Sequence, residues 1–139
     1  MPCGCLGDKR DLMESLVEKI FWMTINCYHE ARGEPFAGKV AVCKVVLNRT
    51  TDDRWPDTVK DVIWQSSQFS WTLNKKLFPL KNYNALLSCA KAALRAYMQW
   101  MVGGTMSGVN HYHTVDVHPS WDRDMVLIDR IYSHLFFRG

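Results

Sequence analysis

The chain has 139 residues, of which 47% are hydrophobic and 22% charged, values that are ordinary for one globular domain with a single core. Its formal net charge of +3, from 17 basic and 14 acidic residues, favours anionic partners without distinguishing among them. The basic residues are scattered along the chain, which argues against a nucleic-acid binder, and no apolar run approaches the length of a membrane span.

The N-terminal residues predict a short arm before the domain. Residues 1–10 are expected to be flexible and residues 11–139 to form a single domain. The segment MPCGCLGDKRDLMESL lacks an apolar central region, so it does not predict an ordinary secretory signal. Five cysteines, an odd number, then predict free thiols in a reducing compartment. Cys27, Cys43 and Cys89 sit among apolar residues and are predicted core residues. Cys3 and Cys5 resemble half of a metal site, but no second pair of ligands with matching spacing is present.

The first predicted helix begins near Asp11 and ends before Gly33 and Pro35. Apolar residues recur along it at steps of three and four, as one stripe of a helix requires: Leu12, Leu16, Ile20, Met23 and Cys27. At about 100° per residue the next position on that stripe is Glu30, which is therefore predicted to face the core in the last turn. Glu14 and Glu18 fall on the opposite side, where solvated charges belong.

Three further helices are predicted from the patterns that follow. The run VAVCKVVLN, within a helix from about 36 to 48, is apolar on nearly all sides and indicates a buried central helix. Asp57 or Thr58 can cap a short helix that continues through Gln65. A long helix from about 83 to 102 is stopped by two glycines. The predicted core stripe of this long helix comprises Leu87, Ala90, Leu94, Tyr97 and Met101.

The pattern changes after the two glycines. GVNHYHTVDVHPSW is typical of extended or loop chain. MVLIDRIYSHLFFRG carries β-branched and aromatic runs around Asp129 and Arg130, which predicts a hairpin. The predicted class is therefore α+β, a mainly helical domain with a small C-terminal extended or hairpin region.

Glu30 is the catalytic candidate that periodicity selects. A carboxyl group on an apolar stripe loses the hydration of its charged form, so its pKa should rise, as a general acid requires. Glycosidases use such a group to protonate the oxygen of a departing sugar. The structural alternative is an ion pair with Arg32 or a nearby lysine at the helix end. The helix dipole disfavours a carboxylate at that end, which makes a purely structural role less natural.

Histidines in the C-terminal part form a second candidate site. His111 and His113 have the spacing that places both rings on one face of a strand, where zinc ligation is possible. The candidate third ligands are Asp116, His118 and His134. The alternative is a set of rings that line a groove or stack in the core.

Two further groups are candidates for binding. Glu34 follows the first helix and could cap the second helix near its N-terminus, or orient Arg32 or a loop beside the site. The tetrapeptide QFSW, Gln68 to Trp71, brings an amide, a hydroxyl and two rings together in one loop, a combination that holds sugars. The chain contains no G-x-S-x-G elbow and no glycine-rich phosphate-binding motif.

EARGEPFAGKVAVCKVVLNR followed by WPDTVKDVIWQSSQFSW resembles the spore-cortex-lytic type of cell wall hydrolases, a family that includes phage lysis enzymes. NHYHT, HPSW and SHLFF resemble the C-terminal pattern of that family. The resemblance covers roughly residues 21–137 and implies a lysozyme-like α+β fold that cleaves peptidoglycan glycan strands without a cofactor or metal. It places the catalytic acid on Glu30. It places substrate-binding residues at Gln68, Phe69, Ser70 and Tyr112, to which we add Glu34, Trp71, His113 and Trp121 as looser candidates.

The reaction that the resemblance implies is lytic transglycosylation between N-acetylmuramic acid and N-acetylglucosamine, with Glu30 as acid and then base. A hydrolase on the same fold, a muramidase or a glucosaminidase, would need a second carboxylate, for which Asp116, Asp122 and Asp124 are eligible. A zinc-dependent amidase built on His111 and His113 is a further alternative. A non-catalytic peptidoglycan-binding or virion domain is another.

The sequence departs from the spore enzymes in ways that bear on its setting. His29 stands where we expect a small residue, and a charged His29 would lower the pKa of Glu30. The lack of a secretory signal and of a wall-binding repeat predicts a monomeric phage endolysin, made in the host bacterial cytoplasm and not stably inserted in a membrane. A separate holin-type protein would release it to the periplasm and cell wall.

Overall fold

The helices come first along the chain and the strands last. The structure, a computed structural model, describes residues 14–65 and 80–139. Its elements are α1 (Leu16–Ala31), α2 (Phe36–Thr50), α3 (Val59–Trp64), α4 (Tyr83–Met101), β1 (His111–Thr114), a short 3₁₀ helix (Ser120–Asp124), β2 (Val126–Ile131) and β3 (His134–Arg138). This order confirms the predicted α+β class. Within the two described ranges, no helix is long and apolar enough to cross a bilayer.

A capping box fixes the start of α1. The Oγ of Ser15 accepts a hydrogen bond from the backbone N of Glu18 at 3.1 Å, and Oε1 of Glu18 accepts one from the backbone N of Ser15 at 3.3 Å. Reciprocal bonds of this kind satisfy two amides that a helix terminus would otherwise leave unpaired. The helix therefore begins at Leu16, whereas the apolar stripe predicted a start near Asp11. The sequence signal for the true start is the S-x-x-E pattern of Ser15 and Glu18. Glu18 is exposed, as predicted.

Glu14 ties α1 to α3. Its two carboxylate oxygens accept hydrogen bonds from the backbone N of Val59 at 2.7 Å and of Lys60 at 2.8 Å, the first amides of α3. Negative charge is favourable at this helix end, and the side chain of Thr58 caps the same helix by accepting from the backbone N of Asp61. The predicted Thr58 cap is confirmed. The prediction of a solvated Glu14 was wrong because its partners are distant in sequence.

Helix α2 is the centre of the fold, as predicted. Val42, Val45 and Leu47 are fully buried, and the helix contacts the three other described helices and β1. A polar residue near its end, Asn48, donates hydrogen bonds from Nδ2 to the backbone O of Met106 at 2.9 Å and of Val109 at 2.7 Å. These bonds fix the segment that leads into β1, and so they set the place where β1 begins.

Helix α4 packs through its small residues. Cys89, Ala92, Ala93 and Ala96 are completely buried where α4 contacts α1 and α2. The predicted core stripe was wrong for its large members, because Leu87, Leu94 and Met101 are 41%, 47% and 62% exposed. Short side chains let helix axes approach closely, so the face that reads as weakly apolar in the sequence is the one that packs.

The described strands form one antiparallel sheet in the order β1-β3-β2. The predicted hairpin is confirmed as β2 and β3. Its turn lies at Tyr132 and Ser133, after the predicted position, because Asp129 and Arg130 still pair with β3. Tyr132 adopts φ 54°, in the left-handed region that tight turns often require.

Three cysteines lie in the core, as predicted. Cys27, Cys43 and Cys89 are buried free thiols at the contact of α1, α2 and α4. Cys3 and Cys5, and the predicted arm that contains them, lie outside the described residues.

Candidate active site

Glu30 occupies the last turn of α1, one step along the stripe that contains the fully buried Met23 and Cys27. Burial raises the pKa of Glu30 to about 7, and a hydrogen bond from Tyr112 lowers it in part. The net shift is upward, against the lowering expected from a charged His29. A carboxyl group with this pKa can both hold and release a proton near neutral pH, which is the requirement for a general acid and base.

An ion pair of Glu30 with Arg32 or a lysine, the structural alternative to catalysis, is not formed in the described residues. None of the ion pairs there includes Glu30. The guanidinium of Arg32 lies over the ring of Tyr28, 4.9 Å from the centroid. Glu30 therefore faces a tyrosine hydroxyl rather than a neutralising cation.

Tyr112 lies on β1 and faces Glu30, as the family resemblance implies, and its contact with substrate stays a prediction. Its ring packs against His134 and Phe136 of β3, at centroid distances of 5.2 and 5.7 Å. Burial, followed by the charge of Glu30, raises the pKa of Tyr112 well above its ordinary value. Tyr112 therefore keeps its proton, and its hydroxyl is placed to donate to the Glu30 carboxyl.

Glu34 binds the β2–β3 turn. Its carboxylate accepts hydrogen bonds from Ser133 Oγ at 2.6 Å and from His134 Nδ1 at 2.7 Å. It does not cap α2, because the N-cap residue is Pro35 and no side chain bonds the first amides of that helix. The predicted cap was therefore wrong, and substrate contact by Glu34 stays a prediction.

His113 and Trp121 lie on the other face of the sheet. Successive strand residues point to opposite faces, so His113 points away from the face that carries Tyr112. The rings of His113 and Trp121 both pack on Phe137, at 5.1 and 5.5 Å, whereas Tyr112 packs on Phe136. The structure does not bring these two predicted groove residues to Glu30.

The histidine pair is not arranged as a metal site in the described chain. Nδ1 of His113 lies 2.7 Å from the backbone O of Thr114, and Nε2 lies 3.1 Å from Oδ2 of Asp122. Nδ1 of His111 lies 2.8 Å from Oδ1 of Asn110. Across residues 14–65 and 80–139, no three His, Cys, Asp or Glu side chains are grouped so that they could hold a metal ion.

The candidates for a second catalytic carboxylate are engaged elsewhere. Asp122 pairs with His113 on the far face of the sheet. Asp116 accepts a hydrogen bond from Thr114 Oγ1 at 2.6 Å, which lowers its pKa. Neither Asp122 nor Asp124, nor Asp116, is among the groups that influence the pKa of Glu30.

The QFSW residues, Gln68, Phe69, Ser70 and Trp71, lie outside the described residues. Their predicted contacts with substrate stay predictions.

Arg49 is a site residue that the sequence reasoning did not name. Its Nε donates to the backbone O of Asn110 at 2.8 Å, next to β1, and its guanidinium lies 4.9 Å from the ring centroid of Trp55. Burial lowers the pKa of Arg49 to about 10, so it stays charged, and that charge acts on Tyr112. The signal was available, since Arg49 directly follows the run VAVCKVVLN, which was predicted to be buried on nearly all sides.

A helical body with a small sheet, holding a partly buried carboxyl of near-neutral pKa against a tyrosine hydroxyl, defines a general-acid site of the glycosidase kind. The chain belongs to the cell wall hydrolase family, whose model matches residues 33–137, beginning just after Glu30.

Curated relatives agree with this assignment. The spore cortex-lytic enzyme of Bacillus cereus is 31% identical over 109 residues, covering 78% of this chain and 40% of that protein. The spore cortex-lytic enzyme of Halalkalibacterium halodurans is 33% identical over 113 residues, covering 78% of this chain and 31% of that protein. The chain thus spans two fifths or less of the length of these relatives.

Two solved structures match the fold. They are the catalytic domain of the germination-specific lytic transglycosylase SleB from Bacillus anthracis and the catalytic domain of the Bacillus cereus SleB protein. Each has a TM-score of 0.73 and 30% sequence identity. The match covers 86% of this chain and 93% or 89% of the solved chain, respectively.

Proposed function

We propose that this domain cleaves the glycan strands of peptidoglycan as a lytic transglycosylase, with Glu30 as both acid and base. The observation that carries the proposal is the partly buried Glu30 carboxyl, with a pKa of about 7, facing the Tyr112 hydroxyl. The similarity to SleB of Bacillus anthracis, a germination-specific lytic transglycosylase, supports the same reaction type.

The proposed reaction uses one carboxyl group twice, first as acid and then as base. Protonated Glu30 donates to the oxygen that links N-acetylmuramic acid to N-acetylglucosamine, and the bond from that oxygen to C1 of the muramic acid breaks. The resulting carboxylate takes the proton of the C6 hydroxyl, whose oxygen bonds to C1 and closes a 1,6-anhydro ring. Glu30 ends protonated, and no water is consumed. Tyr112 stabilises the carboxylate between the two steps by donating a hydrogen bond to it.

A single carboxyl favours transglycosylation over hydrolysis. A hydrolase would need a second carboxylate about 5–5.5 Å away if retaining or about 6.5–9.5 Å away if inverting. Of the three eligible aspartates, Asp122 contacts the other face of the sheet and Asp116 bonds Thr114 at the end of β1. Transglycosylation needs no such partner, because the substrate supplies its own nucleophile.

Mass spectrometry of muropeptides released from purified peptidoglycan tests the reaction. Wild-type protein is expected to give products that end in 1,6-anhydro-muramic acid, each one water lighter than the hydrolysis product. Reducing ends would establish a hydrolase and contradict the mechanism. If the protein bound peptidoglycan but released no muropeptides, the proposal that it is an enzyme would be wrong. A parallel reaction with EDTA is expected to be unaffected, and loss of activity there would favour the zinc-dependent amidase.

The pH dependence of cleavage is expected to follow the protonation of Glu30. The acid must be protonated at the start of each cycle, so kcat/KM should fall about tenfold per pH unit above a midpoint near 7. Initial rates of glycan release, measured over about two pH units on either side of that midpoint, check this. A flat profile through neutral pH would show that the proton comes from another group.

We also propose the biological setting of a phage endolysin. In this setting a monomeric enzyme reaches the host wall from the cytoplasm after a separate holin-type protein opens the membrane. The net charge of +3 supports approach to anionic wall polymers. Expression in a bacterial host with and without a holin tests it, and culture lysis is expected only when both proteins are present. Lysis without the holin would contradict the need for a release protein.

A further inference from the structure

The proposed reaction does not use Glu34, although its carboxylate is well held. Oε1 accepts from Nδ1 of His134 at 2.7 Å and from the backbone N of Ser133 at 3.3 Å, and Oε2 accepts from Ser133 Oγ at 2.6 Å. The side chains of Glu34 and His134 are only 8% and 5% exposed. Burial opposes the charged form, but hydrogen bonds from Ser133 and His134 keep the pKa of Glu34 below its ordinary value. The carboxylate is therefore a charged anchor in the interior.

The His134 ring, which Glu34 holds, also packs against Tyr112. It meets the ring of Tyr112 edge-on, with centroids 5.2 Å apart and an interplanar angle of 84°. Phe136 contacts both rings, at 6.0 Å from His134 and 5.7 Å from Tyr112. Interiors are close-packed, so the orientation of one ring limits the orientation of the next.

The sequence leaves room for this contact. A Cβ at Gly38 would lie 3.3 Å from Cβ of Glu34 and 3.5 Å from Cγ2 of Ile131. The absence of a side chain at this position lets the first turn of α2 lie against both Glu34 and the hairpin. The hairpin turn is thus docked at the end of α1 that carries Glu30.

We propose that Glu34 is a positioning residue for Glu30: its carboxylate fixes the His134 ring, His134 fixes Tyr112, and Tyr112 directs its hydroxyl at the Glu30 carboxyl. In this role Glu34 acts through two other side chains and does not touch substrate. The inference rests on the proposed function only for its kinetic readout, because the coupling between these groups exists in the protein without substrate.

The groups that face this chain of contacts come from each element packed on it. Glu30 and Cys27 of α1 and Arg49 of α2 act on Tyr112. Ser133 and His134 of the hairpin act on Glu34. Glu30, Cys27 and Arg49 are kept in every variant used below, so differences among the variants report the contacts from Glu34 to Tyr112.

Titration of the Glu30 carboxyl by carbon NMR is the direct test, with a double-mutant cycle of Glu34→Gln and Tyr112→Phe. Tyr112→Phe removes a donor to the carboxylate and is expected to raise the pKa of Glu30. Glu34→Gln keeps the shape but loses the charge that holds His134, and it is expected to shift the pKa in the same direction by less. In the double variant Glu34→Gln should add nothing, since Tyr112 is the route of its effect.

Kinetics on peptidoglycan give the second readout. Glu34→Gln is expected to lower kcat roughly tenfold through misplacement of Tyr112, with little change in KM. In the Tyr112→Phe background the same substitution should change kcat by less than about twofold. Equal losses in both backgrounds would overturn the relay through Tyr112.

A matched control separates positioning from tethering. Glu14 is also a carboxylate that joins two elements, through the backbone N of Val59 and Lys60, but it lies outside these contacts. Glu14→Gln is expected to lower thermal stability without moving the titration of Glu30. If Glu34→Gln behaved in the same way, Glu34 would be a tether only.

A second variant guards against a folding failure. His134→Phe keeps a ring against Tyr112 and removes the Nδ1 bond to Glu34, and it should shift the Glu30 titration as Glu34→Gln does. An unchanged titration in this variant would overturn the proposal. Non-additive titrations in a protein that releases no anhydro product would instead uphold the positioning role and contradict the proposed function.

Discussion

Glu30→Gln is expected to reduce the release of anhydro-muropeptides by about 10³-fold. Glutamine fills nearly the same volume and can still accept a hydrogen bond from Tyr112, but it can neither donate a proton to the glycosidic oxygen nor take one from the C6 hydroxyl. Muropeptide release from purified peptidoglycan, followed by mass spectrometry, measures the loss. Near-normal release by this variant would exclude Glu30 as the acid.

The stability of the same variant provides its control. The pKa of Glu30 is about 7 in the folded protein against an ordinary 4.5, so the folded state binds more protons than the unfolded state between these values. Stability of the wild type therefore falls as pH rises through this window, and the penalty is complete above pH 7. Glu30→Gln removes it and should be more stable at pH 8 by up to about 3 kcal/mol, whereas the two proteins should differ little at pH 4. An inactive variant that is more stable would show that the loss is chemical.

Glu30 could be predicted from the sequence because its environment is set locally. Its burial follows from the helical period that Met23 and Cys27 establish, and α1 continues through Ala31. Tyr112 could be predicted only by resemblance, since Tyr112 and Glu30 are 82 positions apart and meet only through the packing of β1 on the helices. Nothing in the local pattern of either segment requires that contact.

The hydrogen-bond partners of Glu34 could not be predicted from the local sequence. The nearest helix N-terminus suggested a cap, but its hydrogen-bond partners Ser133 and His134 lie 99 and 100 positions away. His113 and Trp121 do not lie beside Glu30, for a different reason. They are close to Tyr112 in sequence, but the alternation of strand side chains sends His113 to the opposite face, and Trp121 packs with it. That alternation could have separated His113 from Tyr112 without a structure, whereas Trp121 lies outside the strands, in the 3₁₀ helix.

The long helix α4 was placed correctly from the sequence, yet its packing face was not. Hydrophobicity ranks Leu94 above Ala96, so the pattern of large residues was taken as the core stripe. The structure buries Ala96 completely and leaves Leu94 47% exposed. A helix that crosses close to two others needs short side chains at the crossing, and this requirement depends on neighbours that the local sequence does not specify.

Ala96→Leu is consequently expected to destabilise the fold far more than Leu94→Ala. The added carbons at position 96 have no space where α4 meets α1 and α2, so the substitution should cost about 3 kcal/mol and lower Tm by roughly 10 °C. Leu94→Ala removes a half-exposed side chain and should cost less than about 1 kcal/mol. Thermal unfolding followed by circular dichroism compares the two variants, which lie on one helix within a single turn. The reverse order would mean that α4 packs through its large residues, as the sequence pattern alone suggests.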